Sequence, residues 1–326
     1  MATVAGVHLA AEILSRYQRY GWSQPVGEWG SIQAGRSAYK ALLDSGDMEA
    51  IDQLFQRMFR SALVTGLITL GLADAAALPT DYHPMVRQLF EEVMLHNLTQ
   101  WRQGTGEPIA ILTAPAVGAP LTVEVAQVPI MMDTPRHDHY AQRMLQLLPT
   151  GGTVLEIGGG YGGWVRQAHQ RRQDFQVVLC DLPETLYVAW YWLTHVLPAA
   201  TVDWVDVNPA ADVVLLPARQ LGDWSRADIW FSAHSLGEMD QATVDRYVAW
   251  AHTRRPRYLY HDNADRRPDR WNDPGLDQTA NSALVFPETL AADFGIDRAQ
   301  YRLVSRTPVL WSGSGSRYAE YLYEAR

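Results

Sequence analysis

One cysteine, Cys180, in a chain of 326 residues rules out an internal disulfide framework and any cysteine-rich metal centre. Basic runs are missing too: 27 Lys and Arg against 36 Asp and Glu leave a formal net charge of -9. Without a basic footprint, neither nucleic acid nor an acidic membrane is an expected partner, and a small molecule is. Nor is there an unbroken apolar run of the ~20 residues that a membrane span needs. The longest greasy stretch, 62–78, is interrupted by Thr65, Gly66, Thr69, Gly71 and Asp74, and is expected to be core. The amino terminus shows no basic start ahead of an apolar block, so a cytoplasmic protein is expected. What is present is a 47% hydrophobic content, enough for substantial cores in two domains.

The first part of the chain reads as helical. Ile51, Leu54, Phe55, Met58, Phe59, Ala62 and Leu63 recur at spacings of three and four, which predicts one continuous amphipathic helix over 51–63. Weaker patterns cover 7–20, 85–101 and 138–148. Residues 1–149 are therefore expected to form a mainly helical domain, with a short β-hairpin built from IAILT and LTVEVAQV around the loop APAVGAP. From 150 to 326 strand and helix alternate, with candidate strands at 153–157, 176–181, 213–217, 228–234 and 257–262. The third of these competes with Val202–Val205. Such alternation means a parallel sheet with helices on both faces. Residues 301–305 and 318–323 break the pattern and suggest an antiparallel pair. The expected fold is α/β, a Rossmann-like sheet with an antiparallel carboxyl-terminal strand pair and an amino-terminal helical domain. The aromatic group Tyr187, Trp190, Tyr191 and Trp192 is expected to pack its helix rather than to face a ligand.

The turn after the first sheet strand, TVLEIGGGYGGWVRQ (153–167), carries the chemistry. Gly158, Gly160 and Gly163 satisfy Gly-x-Gly-x-x-Gly between a strand and a helix, a pattern shared by unrelated nucleotide sites and weak alone. Its neighbours narrow the choice. In dinucleotide sites the turn receives a pyrophosphate, whereas here Glu156 stands two residues ahead of the first glycine. A buried anion repels a diphosphate and is stabilised by an ammonium group. S-adenosylmethionine has an ammonium, a sulfonium and no phosphate, so the charges favour a methyl donor over NAD. Asp181 closes the next strand, where a carboxylate accepts hydrogen bonds from ribose hydroxyls. The missing Gly-Lys-Ser/Thr excludes a nucleotide-triphosphatase phosphate loop.

The segments LEIGGGYGG, CDLPETLYVAWYWLTHVLP, ADIWFSAHSLGEMD and RYLYHDNAD, in that order, resemble class I S-adenosylmethionine-dependent methyltransferases, in particular the sugar O-methyltransferase family. The resemblance spans roughly 105–265. It implies that Glu156, Gly158, Gly159 and Gly160 hold the methionine end of the donor and that Asp181 and Leu182 hold the ribose and adenine. Ser232, where the family tends to have Asn, is placed with them. The implied reaction is methylation of a hydroxyl on a sugar or a glycosylated or secondary metabolite. An amine, carbon or phenol acceptor is the alternative, and an NAD-dependent oxidoreductase a more remote one.

A sugar hydroxyl needs a base as it attacks, and His is the commonest provider near neutral pH. His234 and His261 both fall at carboxyl ends of candidate strands, where ligands bind in open α/β sheets. Each has a structural reading as a hydrogen-bonded core histidine. Glu238 is placed to orient an imidazole or meet a substrate hydroxyl, or to sit in a helix first turn. His137 and His139 form a His-x-His without further ligands at a telling spacing, and Asp262, Asp265 and Asp269 suit a polar loop as well as an ion site. No metal is expected. The long amphipathic helix has more apolar face than a lid alone requires, which points to a homodimer through the helical part.

Overall fold

The computed structural model describes residues 4–24, 28–68, 84–266, 289–309, 311 and 317–326. It opens with α1 (Val4–Tyr20), α2 (Glu28–Gly35), α3 (Ser37–Ser45) and α4 (Met48–Gln56). Asp47 starts α4 by accepting from the Ala50 N–H at 3.0 Å, the usual remedy for an unpaired first-turn donor. The helix expected over 51–63 stops at Gln56 and gives way to 3₁₀ turns at Met58–Arg60 and Ala62–Val64. The loop around Gly118 docks there and claims the backbone: Phe59 N donates to Gly118 O at 3.0 Å, and Arg60 Nε to Ala119 O at 3.1 Å. Met58, Phe59 and Leu63 stay buried, so the apolar spacing survives although the helix does not.

After α5 (Pro84–Gly104) comes a hairpin of β1 (Thr122–Val125) and β2 (Val128–Met131). Its first strand and turn fall in the second of the two segments expected to pair, and its second strand runs on past the end of that segment at Val128. Its two-residue turn, Ala126 and Gln127, has φ of 50° and 63°, a conformation that Asn and Gly usually signal. The first segment is instead a 3₁₀ turn, Ile109–Leu112, followed by a single bridge from Thr113 to Ile130.

The remaining elements are α6 (Thr134–Leu147), β3 (Thr153–Ile157), α7 (Gly163–Arg171), β4 (Gln176–Asp181), α8 (Pro183–Val196), β5 (Val202–Trp204), β6 (Val213–Pro217), β7 (Ile229–Ala233), α9 (Gln241–Arg254), β8 (Tyr258–Ala264), β9 (Tyr301–Pro308) and β10 (Tyr318–Ala325). One sheet takes the order β5-β6-β4-β3-β7-β8-β10-β9. Strands β5 to β8 pair in parallel and β10 runs antiparallel to both β8 and β9. This is the expected α/β sheet with its antiparallel end, and both candidates for the third strand are used, Val202–Trp204 as the edge.

Strand alternation sorts the side chains. Val154, Leu179, Leu215, Phe231 and Tyr260 lie in one core with α6, α7 and α8. That core continues without a break into Ala10, Ile13, Tyr39 and Phe55 of the amino-terminal helices. Leu155, Val178, Cys180, Trp230 and Leu259 face the other way, against Val244 and Val248 of α9. On α8, Tyr187, Tyr191 and Trp192 are buried and meet Tyr17, Phe55 and Phe59 edge-on or tilted, as expected of a packing face.

Candidate active site

Glu156 is in register with Leu179 and Phe231, so its carboxyl points to the α6–α7 side at the carboxyl end of β3. It is 4% exposed, and the Trp164 indole N–H donates to it at 2.6 Å. Burial pushes its carboxyl up to about 8 against that hydrogen bond, with the Asp181 charge adding to the rise. The turn that follows lies against its surroundings. A Cβ at Gly158, where φ is +77°, would come 1.9 Å from Ser235 Oγ, and one at Gly159 would come 2.9 Å from Glu156 Oε2. Only glycine leaves this backbone open to a ligand beside the carboxyl.

Asp181 points to the same face, two residues beyond Leu179. It accepts from Gly160 N at 2.9 Å and from Leu182 N at 2.6 Å, which ties the glycine turn to the start of α8. Burial pushes it up to about 7 in spite of those bonds. The amino-terminal helices reach this end of the sheet. Ser23 donates through N and Oγ to Glu184 at 3.1 and 2.5 Å, and Arg36, fully buried, donates to the Leu63 carbonyl.

A second polar group forms where β7 and β8 end. His234, just past β7, adopts φ +54°, a strained conformation for a side chain of this size. Its backbone N–H donates to Asp262 O at 2.8 Å, and its ring stacks on Tyr318 at 4.6 Å. Its Nε2 lies 3.1 Å from an Arg136 NH group and 3.4 Å from Asp262 Oδ2. Asp262 is wholly buried and accepts from the Tyr140 hydroxyl. Burial works to raise it, but His234, the Tyr140 bond and Arg136 hold it below the usual carboxylate range. Arg136 also pairs with Asp133 at 3.0 Å.

No family model and no curated protein matches the sequence. Solved structures do. One is the pyocyanin biosynthetic protein PhzM, 14% identical, with 60% of this chain and 57% of that one covered at a TM-score of 0.40. Another is the N,N-8-amino-8-demethyl-D-riboflavin dimethyltransferase RosA from Streptomyces davawensis, 15% identical, with 60% and 56% covered at 0.39. A third is the glycopeptide N-methyltransferase MtfA complexed with S-adenosyl-L-methionine, 17% identical, with 59% and 94% covered at 0.42. The chain spans little more than half the length of the first two.

Among the residues singled out in the sequence, Glu156, Gly158, Gly159, Gly160, Asp181 and Leu182 come together at one end of the sheet. Ser232 and His261 are in register with each other and face the opposite layer. Ser232 Oγ and both His261 ring nitrogens are buried with no hydrogen-bond partner among the described residues. His261 stacks on Tyr321 at 4.7 Å beside Phe294, and burial holds its imidazole down to about 3. Glu238 accepts from the Trp29 indole N–H at 3.0 Å, and the carboxylate beside the His234 ring is Asp262. His137 packs on Gly163 and Tyr161, while His139 meets Glu320 at 2.6 Å, so the two rings diverge. Asp265 bonds Arg306 and Tyr321, and Asp269 falls outside the described residues. Among the described residues no group of three or more His, Cys, Asp or Glu is placed to hold a metal ion, and no helix is long and apolar enough to cross a membrane. Nothing in the sequence signals Arg136 as the partner of His234 or Tyr140 as the partner of Asp262. The cue for Asp262 was alternation on β8, which turns it away from His261.

Proposed function

We propose that the protein is a class I S-adenosylmethionine-dependent methyltransferase acting on a hydroxyl of a small molecule, with the sugar or glycosylated metabolite of the sequence resemblance as its acceptor class. Glu156 carries the reading. A carboxyl sealed at the end of the first parallel strand, bonded by a neutral indole and raised to about 8, gains from a cation that draws off its proton and gains no such ion pair from a phosphate. The glycine turn beside it leaves room for backbone contact with the methionine portion, and Asp181 has lone pairs left for ribose hydroxyls. The donor, when bound, supplies a methyl group on a sulfonium that is already a good leaving group.

The chain's own task is alignment and proton removal. His234 is the base: it takes the acceptor's hydroxyl proton as the oxygen attacks, and Asp262, buried and ionised beside it, stabilises the imidazolium that results. Tyr140 holds that carboxylate in place. His261, on the far face, takes no part. Helix α6, ahead of the first sheet strand, supplies Arg136 and Tyr140, and the amino-terminal part shapes the acceptor side.

Calorimetric titration tests the donor: S-adenosylmethionine and its demethylated product should bind and NAD should not. Tight uptake of NAD with silence toward the methyl donor would sink the proposal. His234→Ala should lower turnover ~10²–10⁴-fold with donor affinity nearly unchanged, and product mass analysis separates hydroxyl from amine, carbon or phenol acceptors.

A further inference from the structure

We propose that Arg136 is a positioning residue that sets which ring nitrogen of His234 carries the hydrogen. The inference rests on His234 as the base for its catalytic meaning, although its geometry stands without it. A guanidinium has five N–H donors, no acceptor, and no accessible neutral form. An Arg136 NH group 3.1 Å from His234 Nε2 therefore requires a lone pair on that nitrogen. In this arrangement the hydrogen of the imidazole sits on Nδ1, so Asp262 is held down by Tyr140 and Arg136, and the His234 contribution follows only once Nε2 bears the hydrogen.

That is the wrong form for a base oriented by Asp262. To use the carboxylate, Nε2 must carry the hydrogen and donate to Asp262 Oδ2, leaving the lone pair on Nδ1 for the acceptor hydroxyl. The Nε2 to Oδ2 separation of 3.4 Å is longer than the 2.7–2.9 Å of a formed charge-assisted bond, consistent with a contact not yet made. Asp262 Oδ1 is buried without a partner among the described residues, so the carboxylate has acceptor capacity in reserve. Arg136 is itself held at this spot from the other side by Asp133. The groups facing the ring are thus Arg136 and His137 from α6, Asp262 from β8 and Tyr318 from β10, with Tyr140 one step back on Asp262. Among them, Arg136 alone can only donate to Nε2.

The two forms differ by moving one hydrogen from Nδ1 to Nε2, with no change in net charge. Arg136 must shed its contact before the working form is populated. The resting enzyme is held in the form that cannot use Asp262, and the base becomes competent only when the guanidinium is drawn elsewhere.

The ¹⁵N resonances of the imidazole test this on the full chain, because protonated and unprotonated ring nitrogens are well separated. In the ligand-free wild type, Nε2 of His234 should show the unprotonated signature. Arg136→Met should exchange the two signatures, with Nε2 now protonated against Asp262, and Arg136→Lys, which still donates, should keep the wild-type pattern. An Nε2–H form in the free wild type would overturn the proposal without need of any variant. So would an Arg136→Met protein with an unchanged tautomer and a more than tenfold loss of S-adenosylhomocysteine affinity, which would make Arg136 a ligand anchor. Failure of the wild type to bind S-adenosylhomocysteine would count against the methyltransferase reading and leave the tautomer result standing.

Discussion

Free Glu156 keeps its proton at neutral pH, since burial pushes its carboxyl up to about 8. An ammonium group brought against it reverses the balance and expels that proton. Donor binding at pH 7 should therefore release close to one proton, read as a binding enthalpy that changes with the buffer's ionisation enthalpy, and Glu156→Gln should abolish the dependence. The sign for stability follows from the same shift. A carboxyl raised in the folded state favours folding below its unfolded value near 4.5, and that contribution is lost as pH rises through about 8. His261 acts at the other end. Held down to about 3, it is charged only on unfolding, so its contribution is present above about 6.5 and is lost as pH falls toward 3. At pH 5 the loss amounts to about 2 kcal/mol, and His261→Phe should flatten the acid limb of a denaturation series by that order. Glu156 and Asp181 were legible because each sits within a local strand-and-turn signal. Arg136 was not, because it meets a histidine 98 residues away, and no spacing in a single sequence records such a pairing.

At the scale of elements, the site depends on how closely α6 lies on the first turn of α7. A Cβ at Gly163 would fall 2.2 Å from His137 Cε1, so Gly163→Ala should cost about 1–3 kcal/mol by overpacking. Adding His137→Ala should recover part of that loss, giving a coupling energy in thermal melts that independent sites would not show. The strands of the sheet could be read from sequence since each is a short apolar run bounded by loop residues. Two amino-terminal elements could not. The helix expected over 51–63 loses its second half to a loop that folds in from 59 residues downstream, and the hairpin turn at Ala126 and Gln127 carries none of the Asn or Gly that announces a left-handed pair. In both cases tertiary contact outweighs local preference.

The molecule as a whole does not divide where its composition does. Tyr39 and Phe55 share one core with Val154 and Leu179, and Phe55 and Phe59 cover Tyr191 and Trp192 of α8. Calorimetry should accordingly record a single cooperative transition, not two, and deleting residues 1–64 should yield an insoluble product because it bares that aromatic face. Near residue 150 the chain passes from α6 into β3, where helical spacing in the sequence gives way to alternation. That change is invisible to the core, since an apolar face shows in sequence but its partner does not.

Cys180 lies in the middle of this assembly, wholly buried on β4, with its thiol pushed far up by burial. Alkylating reagents attack thiolates that they can reach, and here they find neither. The native protein is thus a silent background for site-directed fluorophores and spin probes: a second cysteine introduced on the outside would be tagged alone, and distances to the Glu156 end of the sheet could be followed without stripping out the natural one.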